Sequence, residues 1–488
     1  MRTWAKGLAL ALFIGGVVLF WFLDSRVSRL PDLQIWHTLE LKQEFAARDV
    51  GEAYLFDDYL RQEQDLFAAM EEGFEGSYAP DPTLEVSRYD PGGFNNPVTF
   101  PQNWNRTFVL EPDQIRGGAL LLHGLSDSPY SLRRVGEILA EQGYYVLGLR
   151  LPGHGTLPSG LLSVRLEDWE AAVQLAVAAV RDRIGPRQPL VLAGYSNGGS
   201  LAVQYALDAL EDESLTRPDK LILFSPAVGI SSLARFADWH RLVSFLSHFE
   251  KLRWTGIVPE YDPYKYNSFT KNAATQSYRI TRRLRRRIDR LHRQKETGTL
   301  PPILTFASLV DSTVMNQALI DDLYGKLDSS ESELVIFDVN RLALMKQFYR
   351  RGPLELLDRM EESEELPYRL TVIGNAASDS VELVEWSKPA RSDEPSIRDL
   401  GLEWPDNVFS LSHVAIPFPP DDPIYGRAGS GGDHGLLIGA LEPRGERQLL
   451  LVSADLFLRL RHNPFFSYVE ERLIEEVGGD TALPEELP

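Results

Sequence analysis

The sequence contains no cysteine. That absence excludes a disulfide framework, a thiolate nucleophile, a thiolate zinc site and a lipid carried on sulfur. Positive charge is short as well: 50 Lys and Arg face 70 Asp and Glu, a formal charge of −20. Nonspecific nucleic-acid binding needs cationic contacts to phosphate, so no nucleic-acid partner is expected. No H-E-x-x-H metal pattern, nucleotide loop or dinucleotide fingerprint occurs, and no metal or cofactor is expected. Apart from one N-terminal stretch, long apolar runs are missing. A chain of 43% hydrophobic and 25% charged residues has a globular composition.

The exceptional stretch follows Arg2 and Lys6 and is uncharged from Gly7 to Leu23, about 25 Å long as a helix. Trp4 and Trp21 lie near its ends, where aromatic rings favour a membrane interface, and no small-x-small cleavage site precedes Asp24. Residues 1–29 are expected to form an uncleaved signal anchor crossing a membrane, with a cleaved signal peptide as the alternative. The large C-terminal portion is expected outside the cytoplasm, periplasmic or extracytoplasmic.

Residues 30–105 combine an amphipathic stretch with a Pro/Gly/Asn-rich passage and are expected to wrap a larger unit. From Thr107 short apolar strands alternate with helical patterns: TFVL, GALLLHG, GYYVLGLRL, PLVLAGYS, KLILFSPAV and PPILTFASLV. This alternation predicts an α/β fold, a mostly parallel central sheet with helices on both faces. The strand rhythm stops between residues 231 and 300, which predicts an inserted helical cap. It resumes over 301–339, and residues 340–405 are expected to form a second, late insertion. The core is then expected to begin at 106–230 and end at 406–488 with C-terminal helices.

PLVLAGYS leads into Gly194-Tyr195-Ser196-Asn197-Gly198-Gly199 and then into a helix-forming run. Strand, sharp turn and helix in this order would project Ser196 from a strained elbow at the carboxyl end of the sheet. A serine hydroxyl is a poor nucleophile at neutral pH and needs a base, an acid to orient that base, and donors for an oxyanion. The backbone N–H groups of Leu125 and Asn197 are the expected oxyanion donors. His123 lies upstream of Ser196, where holding the neighbouring loop is the expected role.

These residues resemble the α/β-hydrolase superfamily, in its lysophospholipase, monoacylglycerol lipase and carboxylesterase branch. The matching pieces are LLLHGLSDSP at 120–129, GLRLPGHGT at 148–156, LEDWEAAV at 166–173 and LVLAGYSNGGSLA at 190–202. The resemblance implies the α/β-hydrolase fold and the chain order Ser, Asp or Glu, His. Asp311, ending an apolar strand before a polar turn, is then the expected acid, with Asp338 the weaker candidate. His413 in the Ser-x-Ser-His turn is the expected base, His434 the alternative, and His462 a packing residue. His154 is read as a structural residue of its loop. About 100 residues separate Asp311 from His413, which the insertion accounts for if it loops out.

The block from Arg282 to Arg293 is strongly cationic with apolar spacing at Leu284, Ile288 and Leu291. It reads either as a solvated helix face or as a surface for anionic lipid headgroups near the anchor. Phe236, Trp239, Phe245 and Trp254 suit an acyl site or the cap's own core. The function expected is a serine hydrolase of carboxylic esters, its partner a small, lipid-like single-acyl-chain substrate. Thioesterase or amidase/aminopeptidase activity, and a non-catalytic binding module of the same fold, are the alternatives.

Overall fold

The computed structural model describes residues 2–51, 53–75, 87–93, 95–229, 247–343, 347–363, 365–427, 438–440 and 458–478. Of the sequence candidates, His434, Phe236, Trp239 and Phe245 lie outside the described residues. The strands in chain order are β1 (Phe108–Leu110), β2 (Gly117–Leu122), β3 (Tyr144–Leu149), β4 (Leu190–Tyr195), β5 (Lys220–Phe224), β6 (Trp254–Gly256) and β7 (Phe269–Thr270). They continue with β8 (Ile303–Ser308), β9 (Glu333–Phe337), β10 (Arg369–Asn375), β11 (Glu382–Lys388) and β12 (Ser396–Glu403).

Ten of them form one sheet in the order β1-β3-β2-β4-β5-β8-β9-β10-β11-β12. From β3 to β10 every neighbouring pair is parallel, and β1, β11 and β12 run antiparallel to their neighbours. β2, β4 and β8 are buried along their whole length, as unbroken apolar runs require when both faces are covered. Successive residues alternate between the two cores: Leu120 and Leu122 join the helices Leu166–Ile184, Asn197–Glu211 and Lys271–Gln294. Ala119 and Leu121 join the helices Arg133–Glu141 and Phe466–Gly478 on the other face. β6 and β7 form a separate ribbon.

The segment before the sheet is bolted to it by buried charge. Arg150, at the end of β3, is 1% exposed and pairs with Glu63 and Glu44, each at 3.0 Å. Tyr59 Oη donates to the Arg150 carbonyl at 2.5 Å, and Glu63 accepts from the Thr107 backbone N–H at 2.9 Å.

Three expectations change on the structure. The N-terminal run does lie in a helix, Arg2–Val27, but a membrane-spanning segment is not supported. Among the described residues no helix is long and apolar enough to cross a membrane. The last helical turns instead bury Leu23 and Val27 against Phe249 and Leu252.

The arginine-rich block turns much of its charge toward protein. It lies in the helix Lys271–Gln294, whose Leu284 and Ile288 are fully buried. Arg283 pairs with Glu170, Arg287 with Asp208, and Arg290 with Glu211, all carboxylates of the adjoining helices. Opposite charge within reach, rather than a lipid surface, accounts for these three arginines.

The late insertion does not loop out. After the helix Arg351–Glu361 it supplies β10, β11 and β12, which lengthen the central sheet. Backbone donors and acceptors at the edge of β9 are satisfied by β10, so the extra chain continues the ladder that is already there.

Candidate active site

β4 ends at Tyr195, and the helix Asn197–Glu211 starts two residues later. Ser196 between them takes φ +53° and ψ −114°, a conformation that L residues rarely adopt and that surrounding structure must enforce. The enforcement is visible. Ser196 N–H donates to Phe224 O at 2.9 Å, and Ala227 N–H donates to Ser196 O at 3.0 Å, tying the elbow to the end of β5. A Cβ on Gly198 would lie 1.9 Å from Leu122 O, and one on Gly194 2.5 Å from Gly198 O, so the turn closes only with glycine at both. A serine at a helix start commonly caps it through its hydroxyl, but this one makes no such bond. The hydroxyl stays available at a site that is 8% exposed.

Asn197 begins the helix, so its N–H has no intrahelical acceptor and sits at the positive end of the helix dipole. Leu125 lies in the turn after β2, where Ser126 has φ +66°. Among the described residues neither N–H finds a carbonyl partner. Both are therefore free to donate to an oxyanion.

His123 anchors the same turn. It is fully buried, its Nε2 accepts the Leu151 backbone N–H at 3.0 Å, and its Nδ1 lies 2.9 Å from Gly124 O. A ring nitrogen that accepts carries no proton, so the other must donate to Gly124. Burial and the neighbouring His154, whose ring centroid is 4.9 Å away, hold His123 well below the usual histidine range. His154 is likewise neutral, lowered by burial to about 4, with Nδ1 beside Pro152 O. Both act on loop geometry.

Asp311 follows β8 and His413 follows the sheet extension, yet they meet: His413 Nδ1 lies 2.7 Å from Asp311 Oδ2. Both side chains are buried, at 3% and 1% exposed. Burial pushes the Asp311 carboxyl up, but His413 and the backbone N–H groups of Val314 and Thr313 outweigh it and leave the carboxyl below its ordinary value. A carboxylate can only accept, so Nδ1 carries the proton and Nε2 keeps its lone pair for a second proton. Ser308 Oγ donates to Leu411 O at 2.9 Å, fastening the histidine turn to the end of β8. The His413 ring lies 5.3 Å from that of Tyr195, the residue before Ser196. Asp338, the other carboxylate considered, pairs with Arg341 and accepts the Val339 N–H instead.

Residues 113–341 match the family described as serine aminopeptidase, S33. The mostly parallel sheet and the elbow at the end of β4 have the architecture of the α/β-hydrolase fold. A curated relative, the thermostable monoacylglycerol lipase of Bacillus sp. (strain H-257), is 35% identical over 89 residues, 18% of this chain. The match spans about a third, 34%, of that lipase's length. Among solved structures, the metagenome-derived lipolytic enzymes LipS and LipT give 20% identity over 53% of this chain and 98% of theirs, at a TM-score of 0.39. The Paleococcus ferrophilus monoacylglycerol lipase gives 17% identity over 48% and 88%, at 0.35.

Lys265 and Asp127 escaped the sequence reading although they border this α/β-hydrolase site. Their side chains pair at 2.7 Å, and His413 is close enough to affect the Asp127 carboxyl. A lysine in Asp262-Pro263-Tyr264-Lys265-Tyr266 belongs to no motif, so only spatial proximity reveals it.

Proposed function

We propose that this chain is a serine hydrolase that cleaves carboxylic esters of lipid-like, single-acyl-chain substrates through an acyl-serine intermediate. The observation that carries the reading is the buried Asp311–His413 pair beside a strained Ser196 whose hydroxyl is uncommitted. The monoacylglycerol lipase match supports the choice of an ester.

In the proposed reaction His413 Nε2 takes the Ser196 proton as Oγ attacks the acyl carbonyl. The N–H groups of Leu125 and Asn197 hold the oxygen as it becomes negative, and Asp311 stabilises the imidazolium. Collapse breaks the ester C–O bond, and His413 returns its proton to the leaving alcohol. Water, deprotonated by the same histidine, then attacks the acyl-serine and releases the acid.

Full-length protein should bind a fluorophosphonate covalently and hydrolyse p-nitrophenyl esters, and Ser196→Ala should abolish both. An active Ser196→Ala protein removes the nucleophile from this account. The serine aminopeptidase description favours peptide bonds as a second reading. A series of acyl chain lengths run as esters, thioesters and aminoacyl anilides separates the two.

A further inference from the structure

The chain between β6 and β7 lies on the oxyanion turn. Tyr266 N–H donates to Ser126 O at 2.8 Å, and Lys265 Nζ reaches Asp127 Oδ1 at 2.7 Å. The pair is enclosed, with side-chain exposures of 11% and 6%. The ammonium lies 5.7 Å from the Tyr195 ring centroid, 5.3 Å from that of Phe418 and 5.5 Å from that of Tyr425. One cation thus touches the residue before the nucleophile, the oxyanion turn and the segment after the base.

The segment is held from behind by the chain that precedes the sheet. Arg88 N–H donates to Glu260 O at 2.8 Å, Asn105 Nδ2 to Pro263 O at 3.0 Å, and Asn95 Nδ2 to Tyr261 O at 2.6 Å. Below Lys265, Asp262 accepts that residue's own N–H at 3.0 Å and Tyr425 Oη at 2.6 Å. The ammonium therefore approaches Asp127 from a braced loop.

Enclosing an ion pair gives little stability, because desolvation offsets the attraction and apolar replacements of similar volume often do as well. Direction is what such a pair supplies: Asp127 lies two residues from Leu125, so fixing its carboxylate fixes the intervening peptide planes. We propose that Lys265 is a positioning residue which, through its salt bridge to Asp127, aims the Leu125 N–H at the acyl oxygen on Ser196. The inference rests on the ester-hydrolase reading and adds to it how the oxyanion donors are oriented.

The test uses full-length wild type, Lys265→Met, Lys265→Arg, Asp127→Asn and the double variant Lys265→Met/Asp127→Asn. kcat and KM are measured on a short p-nitrophenyl ester, with affinity for a trifluoromethyl ketone and thermal midpoints. Lys265→Met should lower kcat about 10- to 100-fold with KM nearly unchanged, and weaken the ketone, which mimics the oxyanion, by the same factor. Asp127→Asn should match it, the double variant should be no worse than either, and Lys265→Arg should recover most of kcat. Wild-type kcat and ketone affinity in either single neutral variant overturn the proposal, as do additive losses in the double. If Lys265→Met does not fold, the near-isosteric Asp127→Asn decides by the same criteria. A wild type that neither cleaves the ester nor binds the ketone removes the functional reading and this inference with it. An active, Ser196-dependent wild type with kinetically silent variants removes the inference alone.

Discussion

Asn340 N–H donates to Phe409 O at 2.9 Å, and the Asn340 side-chain amide donates to Val408 O at 3.2 Å. The chain leaves the end of β9 at Asn340, builds three strands, and comes back to the same residue. The chain leading to His413 is therefore fastened beside the end of β9, which reconciles the distance of His413 in sequence with its contact to Asp311. Asn340→Ala also removes one of the two acceptors of Asn375 Nδ2, the other being Ser380 O. We expect a loss of about 1–3 kcal/mol in urea unfolding together with a lower kcat. Unchanged stability would mean that the closure does not depend on this amide.

Asp311→Asn should keep the packing and reverse the histidine. An amide NH2 facing Nδ1 makes that nitrogen the acceptor and moves the proton to Nε2, where it cannot serve as base. The expected result is a fall in kcat of about 10³- to 10⁴-fold with little change in thermal midpoint. Steady-state rates on an ester, beside a melting curve, check it. A variant with more than a tenth of wild-type kcat would remove Asp311 from its orienting role.

Arg150→Met leaves Glu63 enclosed without its cation, Glu63 being 5% exposed. Breaking a buried pair from one side costs about 3–5 kcal/mol. Arg183→Ala, at a pair where both side chains are about half exposed, should stay within about 0.5 kcal/mol. Denaturant titrations of the two variants side by side give the comparison, and equal losses would count against the buried network.

Acid should weaken the fold through histidines that are kept neutral. Burial lowers His37 from 6.5 to about 4, and its ring accepts the Gln34 N–H and contacts Ser268 Oγ at 3.0 Å. The unfolded chain takes up a proton below pH 6.5 while the folded chain takes one only near 4. Stability contributed by neutral His37 is thus complete above 6.5 and falls as pH drops from 6.5 to 4. His123 and His154 are shifted in the same direction. The urea midpoint should decline across that window, and His37→Gln should decline less steeply. A parallel slope in the variant would place the proton uptake elsewhere.

What could be read from residues alone was local. Gly194-Tyr195-Ser196-Asn197-Gly198 announces its elbow because strand, turn and helix are contiguous, and the steric demand at Gly194 comes from Gly198 and Gly199 within the same turn. The paired approach of Asp311 and His413 needed family order as well, since nothing adjacent to either residue specifies the other. β10 to β12 were not legible as part of the central sheet because pairing of β10 with β9 is a long-range register, and β12 alternates with mostly exposed positions. Nor did the spacing of Arg283, Arg287 and Arg290 disclose that Glu170, Asp208 and Glu211 wait on neighbouring helices. Lys265 is the extreme case, since its salt-bridge partner Asp127 lies more than a hundred positions away.

The Arg150 cluster has a consequence for where this molecule can be cut. The stretch that resembles other hydrolases starts near residue 113, but a truncation there would discard Glu44, Glu63 and Tyr59 while retaining the guanidinium they surround. The autonomous folding unit therefore begins well ahead of the recognisable homology, and expression boundaries placed by similarity alone would fall inside it.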